Sequence, residues 1–392
     1  MNYPVLKLKP KREKSVLQKH PWIFSGGLDN KPKANDGDIV EVRSAGGEVL
    51  GYGFYSEKSQ ISCRMFHWGE SEDFESVHYW QGKIERALAL RKTFIDLNTT
   101  NCYRLIHAEG DFLPGIIADV YNTVVVIQIL IKAIENRKDL LVKALNNAGF
   151  PNIYLKSKTS SQRIEDVVTA SGFLSGEATS PVIIRENNLQ FKVDFIEGQK
   201  TGFFLDQRDN RNLVKQFSAG KTVLNAFSYS GGFSVYALAA GAKEVHSVDI
   251  SAEAIKMAEE NAALNQQTES HKGIAEDCFE FLKNMPSDYY DVIVLDPPAF
   301  AKHARAVENA SRGYKQINMR AFQKIKKNGI LFTYSCSQNI SEDLFQKIVF
   351  AAAADVGRNV RIIYQLHQPP DHPINIYHPE GEYLKGLALW VE

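Results

Sequence analysis

The sequence predicts an α/β protein of several domains, in which a mostly parallel sheet flanked by helices follows a small β-rich domain and a small α+β domain. Three observations carry this expectation. The chain has 392 residues, which at roughly 150 residues per domain means two or three domains. From residue 196 onward strand-like and helix-like runs alternate, the mark of an α/β domain with parallel strands. Before that point the runs are short and punctuated by Gly, Asn and Asp. The composition, 44% hydrophobic and 23% charged with 26 Gly and 14 Pro, excludes a disordered or collagen-like chain.

Taken in order, residues 1–72 hold the strand-like runs Ile39 to Val42, Val49 to Tyr55 and Ile61 to Phe66, separated by turns at Asp36-Gly37 and Gly46-Gly47. In residues 73–100, Val77, Trp80, Ile84, Ala87, Leu88 and Arg91 follow helical spacing and predict a connecting helix. Residues 101–195 read as a hairpin around Tyr121-Asn122, from Gly115 to Ala118 and Thr123 to Ile131, and a helix from Arg137 to Ala148. Ile153 to Lys156 and Leu189 to Phe195 are expected to add strands to the same sheet. Residues 196–392 carry strands at Thr222 to Ala226, Glu244 to Asp249, Asp291 to Asp296 and Gly329 to Tyr334, with a helix N-capped by Ser251 after the second.

The 46 Lys and Arg balance the 46 Asp and Glu. The balance is not local: Lys7, Lys9, Lys11, Arg12, Lys14 and Lys19 face Glu13 alone in the first twenty residues, a patch suited to a polyanion. Cys63, Cys102, Cys278 and Cys336 form no C-x-x-C pair, so neither a disulfide framework nor a metal site is expected. No run approaches the roughly 20 apolar residues that span a bilayer, and the basic start lacks the apolar stretch of a signal peptide. A cytoplasmic protein without membrane contact is expected.

Residues 223–251 read as a strand, a Gly-bearing turn, a helix and a second strand ending in an acid. Ligands of open α/β sheets bind at the carboxyl ends of such strands. Gly231 and Gly232 admit close approach, and Asp249 is placed to accept from ribose hydroxyls. The pyrophosphate fingerprint G-x-G-x-x-G is absent, which favours a nucleoside-type cofactor without phosphate, S-adenosylmethionine first. Asp277, after a third strand, can accept from an adenine amino group. Without one another, the turn is only a tight helix start and both acids are solvated strand ends.

Asp296-Pro297-Pro298 closes the apolar run DVIVL and puts a carboxylate on a rigid loop beside that cofactor. A carboxylate or prolyl carbonyl there can bond an amino group of a flipped base. Cys336, in Tyr334-Ser335-Cys336-Ser337, also follows a strand; its thiolate can attack C6 of a pyrimidine and make C5 nucleophilic. The other three cysteines read as small buried hydrophobes.

With these motifs in order, the chain resembles the class I S-adenosylmethionine-dependent RNA methyltransferases, and among them the bacterial enzymes that methylate cytosine C5 of 23S ribosomal RNA. The likeness runs through REKSVLQKHPWIFSG near the start, EGQKTGFFLDQRDNR at 197–211, NAFSYSGGFS at 225–234, LDPPAF at 295–300, SRGYKQIN at 311–318, YSCS at 334–337 and DHPINIYHPEGEYLKG at 371–386. It implies a PUA domain over 1–72, a central α+β domain over 101–195 and a Rossmann-like catalytic domain over 196–392. It further implies that Cys336 is the nucleophile and that Asp296 contacts the base. Cofactor contacts are implied from Asp206 and Arg208, from Asn225, Phe227, Ser228 and Gly231, from Asp249 and Ile250, from Asp277 and Cys278, and from Asp296. Lys7, Lys9, Lys11, Arg12, Lys14, His20 and Trp22, with Phe24 beside them, gain an RNA-docking reading.

One departure stands out. Related cytosine-C5 enzymes carry a second cysteine in the D-P-P segment to help release product, whereas Ala299 and Phe300 occupy it here. Methylation of an exocyclic amine or a guanine, which needs no thiol, stays open, as does a non-catalytic RNA-binding assembly factor. The expected partner is 23S ribosomal RNA, free or in an assembling large subunit; a homodimer is left open.

Overall fold

The computed structural model describes residues 3–157, 165, 167–301 and 303–392. Contacts divide the chain into two units, one of Met1–Ile184, Val193–Phe203 and Pro370–Gly381, the other of Arg185–Lys192, Phe204–Pro369 and Glu382–Glu392.

The first unit begins with β1 (Val5–Lys7), α1 (Glu13–Leu17), β2 (Trp22–Phe24), β3 (Ile39–Arg43), β4 (Val49–Tyr55) and β5 (Ile61–His67). These strands form one sheet in the order β1-β3-β4-β5-β2. The expected basic segment is thus part of a fold: Lys7 ends β1, which pairs in parallel with β3 through Lys7 and Arg43. Helix α2 (Val77–Lys92) follows, N-capped by the Ser76 hydroxyl, which accepts from Tyr79 N. A second sheet is built from β6 (Cys102–His107), β7 (Ile116–Tyr121), β8 (Val124–Ile129), then after α3 (Lys132–Glu135) and α4 (Lys138–Asn147), β9 (Asn152–Leu155) and β10 (Gly172–Ser175), in the order β10-β9-β8-β7-β6.

The two sheets share a core. Phe54, Phe66, Phe74 and Trp80 pack in one buried cluster with Leu105, Val125 and Leu145, so the segments read from sequence as 1–72, 73–100 and most of 101–195 lie in a single unit. The run Leu189 to Phe195 does not extend the second sheet. Its strand β12 (Leu189–Val193) pairs with β11 (Val182–Glu186) as a separate two-stranded ribbon, because the polar Asn187-Asn188 turn, both residues with positive φ, folds the chain straight back.

Residues 370–381 belong to the first unit although their chain neighbours do not. Buried charge fixes them there. Arg91 donates to the Asp371 carbonyl at 2.8 Å, the Arg104 amide donates to the Asp371 carboxylate at 3.0 Å, and the His372 ring lies 5.1 Å from that of His107. Arg91 and Arg104 are in turn paired with Asp111 and Asp119, as buried charges must be.

The second unit holds α5 (Arg208–Gln216), β13 (Thr222–Ala226), α6 (Gly232–Ala239), β14 (Glu244–Asp249), α7 (Ala252–Leu264), β15 (His271–Ala275), α8 (Cys278–Asn284), β16 (Val292–Leu295), α9 (Val307–Lys324), β17 (Gly329–Ser335), α10 (Glu342–Val356), β18 (Val360–His367) and β19 (Lys385–Val391). Its sheet runs β15-β14-β13-β16-β17-β19-β18. The first five strands are parallel, and β19 lies antiparallel to both β17 and β18. Buried clusters cover both faces, which is why β13, β16 and β17 read as unbroken apolar or small-residue runs with every residue buried. Strand order reverses at β13, between β14 and β16, and the crevice at the carboxyl ends there is where ligands bind in such sheets.

Candidate active site

The turn leaving β13 is tight. Phe227, Tyr229 and Gly231 have φ of +60°, +46° and +76°, three left-handed residues within five. At Gly231 a Cβ would also stand 2.7 Å from the Ala258 Cβ, so glycine is required on both counts. Asp249 at the end of β14 holds the turn in place: one carboxylate oxygen accepts from Tyr229 N at 2.9 Å, the other from Ser251 N at 3.0 Å. The carboxylate is oriented by these two amides and remains half-exposed. Ile250, next in sequence, is 74% exposed, an apolar platform beside that acid.

Cys278 lies beneath the turn. Its buried thiol accepts from Phe227 N at 3.2 Å and donates toward Val248 O at 3.5 Å, and burial pushes its pKa up to about 12. Its side chain therefore braces the turn. Asp277 caps α8, accepting from Phe279 N and Glu280 N through one oxygen, and is exposed. Ser228 Oγ and Asn225 Oδ1 are buried acceptors that no donor among the described residues satisfies. An oriented acid, an exposed apolar ledge and two unsatisfied polar atoms around a turn without a phosphate nest fit a nucleoside carrying an amino-acid tail.

The FFLDQR segment enters the same unit as a short 3-10 turn, Leu205–Gln207, leading into α5. Asp206 and Arg208 are both buried; Asp206 accepts from the Tyr383 hydroxyl at 2.8 Å, and Arg208 stands 3.6 Å from Asp209. The residue between them was not singled out from sequence, yet it reaches the D-P-P loop. Gln207 Nε2 donates to Asp296 Oδ1 at 2.9 Å, and Asn210 donates to Gln207 Oε1 at 2.6 Å. The Asn210–Gln207–Asp296 chain sets the carboxylate's orientation. Arg211 anchors the segment from behind, donating to Phe204 O and forming a two-pronged pair with the buried Glu186 at 2.9 and 2.7 Å.

Parallel pairing of β16 with β17, through Leu295 and Thr333, brings the D-P-P loop level with Cys336. The thiol lies 4.0 Å from the Pro297 carbonyl oxygen. Of the four cysteines it alone is not buried. The two serines around it are fixed by one side chain: Ser335 Oγ donates to Tyr314 OH, and Tyr314 OH and Ser337 Oγ share a bond, each at 3.0 Å. Ala301 N donates to Ser337 Oγ at 3.2 Å, tying the two loops together. Lys385, buried at the start of β19, donates to the carbonyls of Ser337 at 2.8 Å and Ile340 at 2.5 Å. Burial lowers its pKa, opposed by Cys336 and then by Glu382 and Glu342. Among the described residues no group of His, Cys, Asp and Glu could hold a metal ion, and no helix is long and apolar enough to cross a membrane.

The residues read as RNA-facing lie in the first unit and divide in two. Lys9, Lys11, Arg12 and Lys14 are exposed and Lys7 is half-buried. His20 and Trp22 are engaged internally: Trp22 Nε1 donates to Glu109 at 2.9 Å, its ring lies 4.4 Å from that of His378, and His20 is 3.5 Å from Glu380. Phe24, 51% exposed, is the aromatic of that group at the surface.

A family model described as S-adenosylmethionine-dependent methyltransferase matches residues 103–381, and a PUA-like domain model matches residues 6–68. Proteins named ribosomal RNA large subunit methyltransferase I from Shewanella denitrificans and Aeromonas salmonicida are 44% and 43% identical, over 98% and 96% of this chain and 99% and 97% of their own. A solved structure described as a SAM-dependent methyltransferase from Streptococcus mutans superposes with a TM-score of 0.84 at 24% identity, covering 99% of this chain and all of that one. Another, a methyltransferase complexed with SAH, reaches 0.86 at the same identity and coverage. The fold is thus a PUA-like domain followed by a Rossmann-like methyltransferase domain, and the chain belongs to the ribosomal RNA large subunit methyltransferase I family of S-adenosylmethionine-dependent methyltransferases.

Proposed function

We propose that the protein methylates C5 of a cytosine in 23S ribosomal RNA, free or in an assembling large subunit, through a transient bond between Cys336 and C6. The observation that carries this is the partly exposed thiol of Cys336 beside the D-P-P loop, 4.0 Å from the Pro297 carbonyl. The named relatives supply the ribosomal RNA.

The carboxylate of Asp296, held by Gln207, and the Pro297 carbonyl accept from the exocyclic amine of a flipped cytosine and set its C6 against Cys336. The thiolate adds to C6, and the C5=C6 electron pair makes C5 the nucleophile. Bound S-adenosylmethionine supplies the electrophilic methyl group; Asp206, Asn225, Ser228, Asp249, Ile250 and Asp277 would hold it. A base then takes the C5 proton, the C5=C6 bond reforms and the thiolate leaves. Ala299 and Phe300 offer no second thiol for this step, so the base is another side chain or water. Buried Lys385 and Tyr314 keep the Cys336 loop fixed, which is how a nucleophile is preorganised.

RNA substituted with 5-fluorocytosine tests the reading, because fluorine at C5 cannot leave as a proton would. The wild-type protein with cofactor should form a covalent complex, and Cys336→Ala should form none. An unlinked product, or Cys336→Ala with substantial methyl transfer, would mean chemistry at a base nitrogen instead.

A further inference from the structure

The first unit contains an open cavity of about 450 Å³ lined by none of the candidate active-site residues. Six side chains matter: Lys19, Trp68, Lys83, Arg86, Phe112 and Tyr377. Its size falls within the range of about 300–1,000 Å³ typical of small-ligand sites. The walls come from the first sheet, helix α2, the turn after β6 and the 370–381 segment.

The lining has two kinds of surface. Phe112 is held in a left-handed conformation, φ +56°, which an aromatic residue rarely adopts, and it leaves its ring 39% exposed. The Trp68 ring stands 6.2 Å away at 85°, its indole N–H donating to Val16 O. The Lys19 ammonium is 5.9 Å from the Tyr377 ring, which is 41% exposed. Against these aromatics stand three cations. Lys83 donates to the carbonyls of Phe66 at 2.7 Å and Phe112 at 3.1 Å. Arg86 is exposed. The acid at the wall, Asp111, is neutralised, paired with buried Arg91 and accepting from His107 N at 2.6 Å.

We propose that this cavity binds one unstacked nucleotide of an RNA strand, the base against Trp68 and Phe112 and the flanking phosphates against Lys19, Lys83 and Arg86. Aromatic faces interleaved with cations recognise single-stranded nucleic acid without regard to sequence. A lone apolar groove would not need the cations, and a purely anionic ligand would not need the rings. Burial, and then the neighbouring Arg86, pushes the Lys83 pKa down to about 7, opposed by Glu72, and a phosphate adds counter-charge to this cationic cluster. The inference rests on the reading of the protein as an RNA-acting enzyme, but not on which atom is methylated.

The test is binding of a short single-stranded oligoribonucleotide to the full chain, by fluorescence polarisation without cofactor. Base stacking contributes about 1–3 kcal/mol per base, so Phe112→Ala should weaken binding about fivefold or more, and exposed Arg86→Glu at least as much. An oligonucleotide of abasic residues should bind like the Phe112→Ala case and lose nothing further from that substitution. Ultraviolet cross-linking of the wild type should label peptides bearing Trp68, Phe112 or Tyr377. Unchanged affinity in both variants, cross-links confined to other peptides, or competition by a free mononucleotide as tight as the oligomer would overturn the proposal. Wild-type protein that binds no RNA would overturn the RNA reading with it. Binding that depends on the cavity, with no adduct on 5-fluorocytosine RNA, would leave the cavity standing and remove only the cytosine-C5 chemistry.

Discussion

Lys385 shows how much of the site depends on residues that carry no chemistry of their own. A buried ammonium satisfied by two carbonyls keeps the backbone after Cys336 fixed and favours negative charge nearby. Lys385→Met should move the pH profile of Cys336 alkylation by iodoacetamide upward, while Lys385→Arg should restore it in part; a profile unmoved by either would leave Lys385 with packing alone. The sign for stability follows from the lowered pKa. Below the folded value the lysine is charged in both states and burial makes that charge unfavourable; between the folded and ordinary values the unfolded chain binds more protons, so stability rises with pH. The difference in melting temperature between wild type and Lys385→Met should therefore shift in favour of wild type as pH climbs toward 10. The positions of Cys336 and Asp296 at strand ends were legible in the sequence because each follows a run that reads as a buried strand. Gln207, Tyr314 and Lys385 were not, because a polar residue inside a helix or at a strand start looks the same whether its partner lies far along the chain or is water.

The turn between β13 and α6 was the most legible element, since Gly231 and the acid at the next strand end stand at a fixed spacing. Its strain was not legible: nothing in the letters Phe227 and Tyr229 announces positive φ. Gly231→Ala should therefore do more than fill space. A left-handed residue with a Cβ costs about 1–3 kcal/mol, and the clash with Ala258 adds to it. Urea unfolding should show a destabilisation of at least that size, with cofactor affinity falling in parallel by calorimetry; a variant as stable and as tight as wild type would mean the turn relaxes freely. The ribbon of β11 and β12 is the reverse case. Its apolar alternation suited either sheet, and only the Asn187-Asn188 reversal decided the pairing.

At the scale of the whole molecule, zero net charge conceals a first unit whose opening segment is strongly basic. Each cation contacting a phosphate contributes about 0.7 to the salt slope of single-strand binding. Neutralising Lys7, Lys9, Lys11, Arg12 and Lys14 together should thus lower the slope of log K against log salt by up to about 3.5, measured on ribosomal RNA fragments; an unchanged slope would leave the patch as a solvated face. Sequence pattern located this patch, the alternation of the second unit and its parallel strands. It could not reveal that residues 370–381 join the first unit, because the buried pairing of Asp371 with Arg91 and Arg104 spans far more chain than any local pattern reaches.

That excursion has a consequence for how the protein is made. Strand β19 sits inside the sheet, between β17 and β18, yet it follows both in the chain and comes after the stretch that joins the first unit. As the polypeptide emerges, β17 must wait with one edge bare, a strand whose every residue is buried in the finished fold left open to pairing with the wrong neighbour. Lys385 arrives with β19, so the Cys336 loop gains its carbonyl anchors only when the missing strand slots in. A nascent chain therefore leaves the Cys336 thiol unset until the sheet is closed.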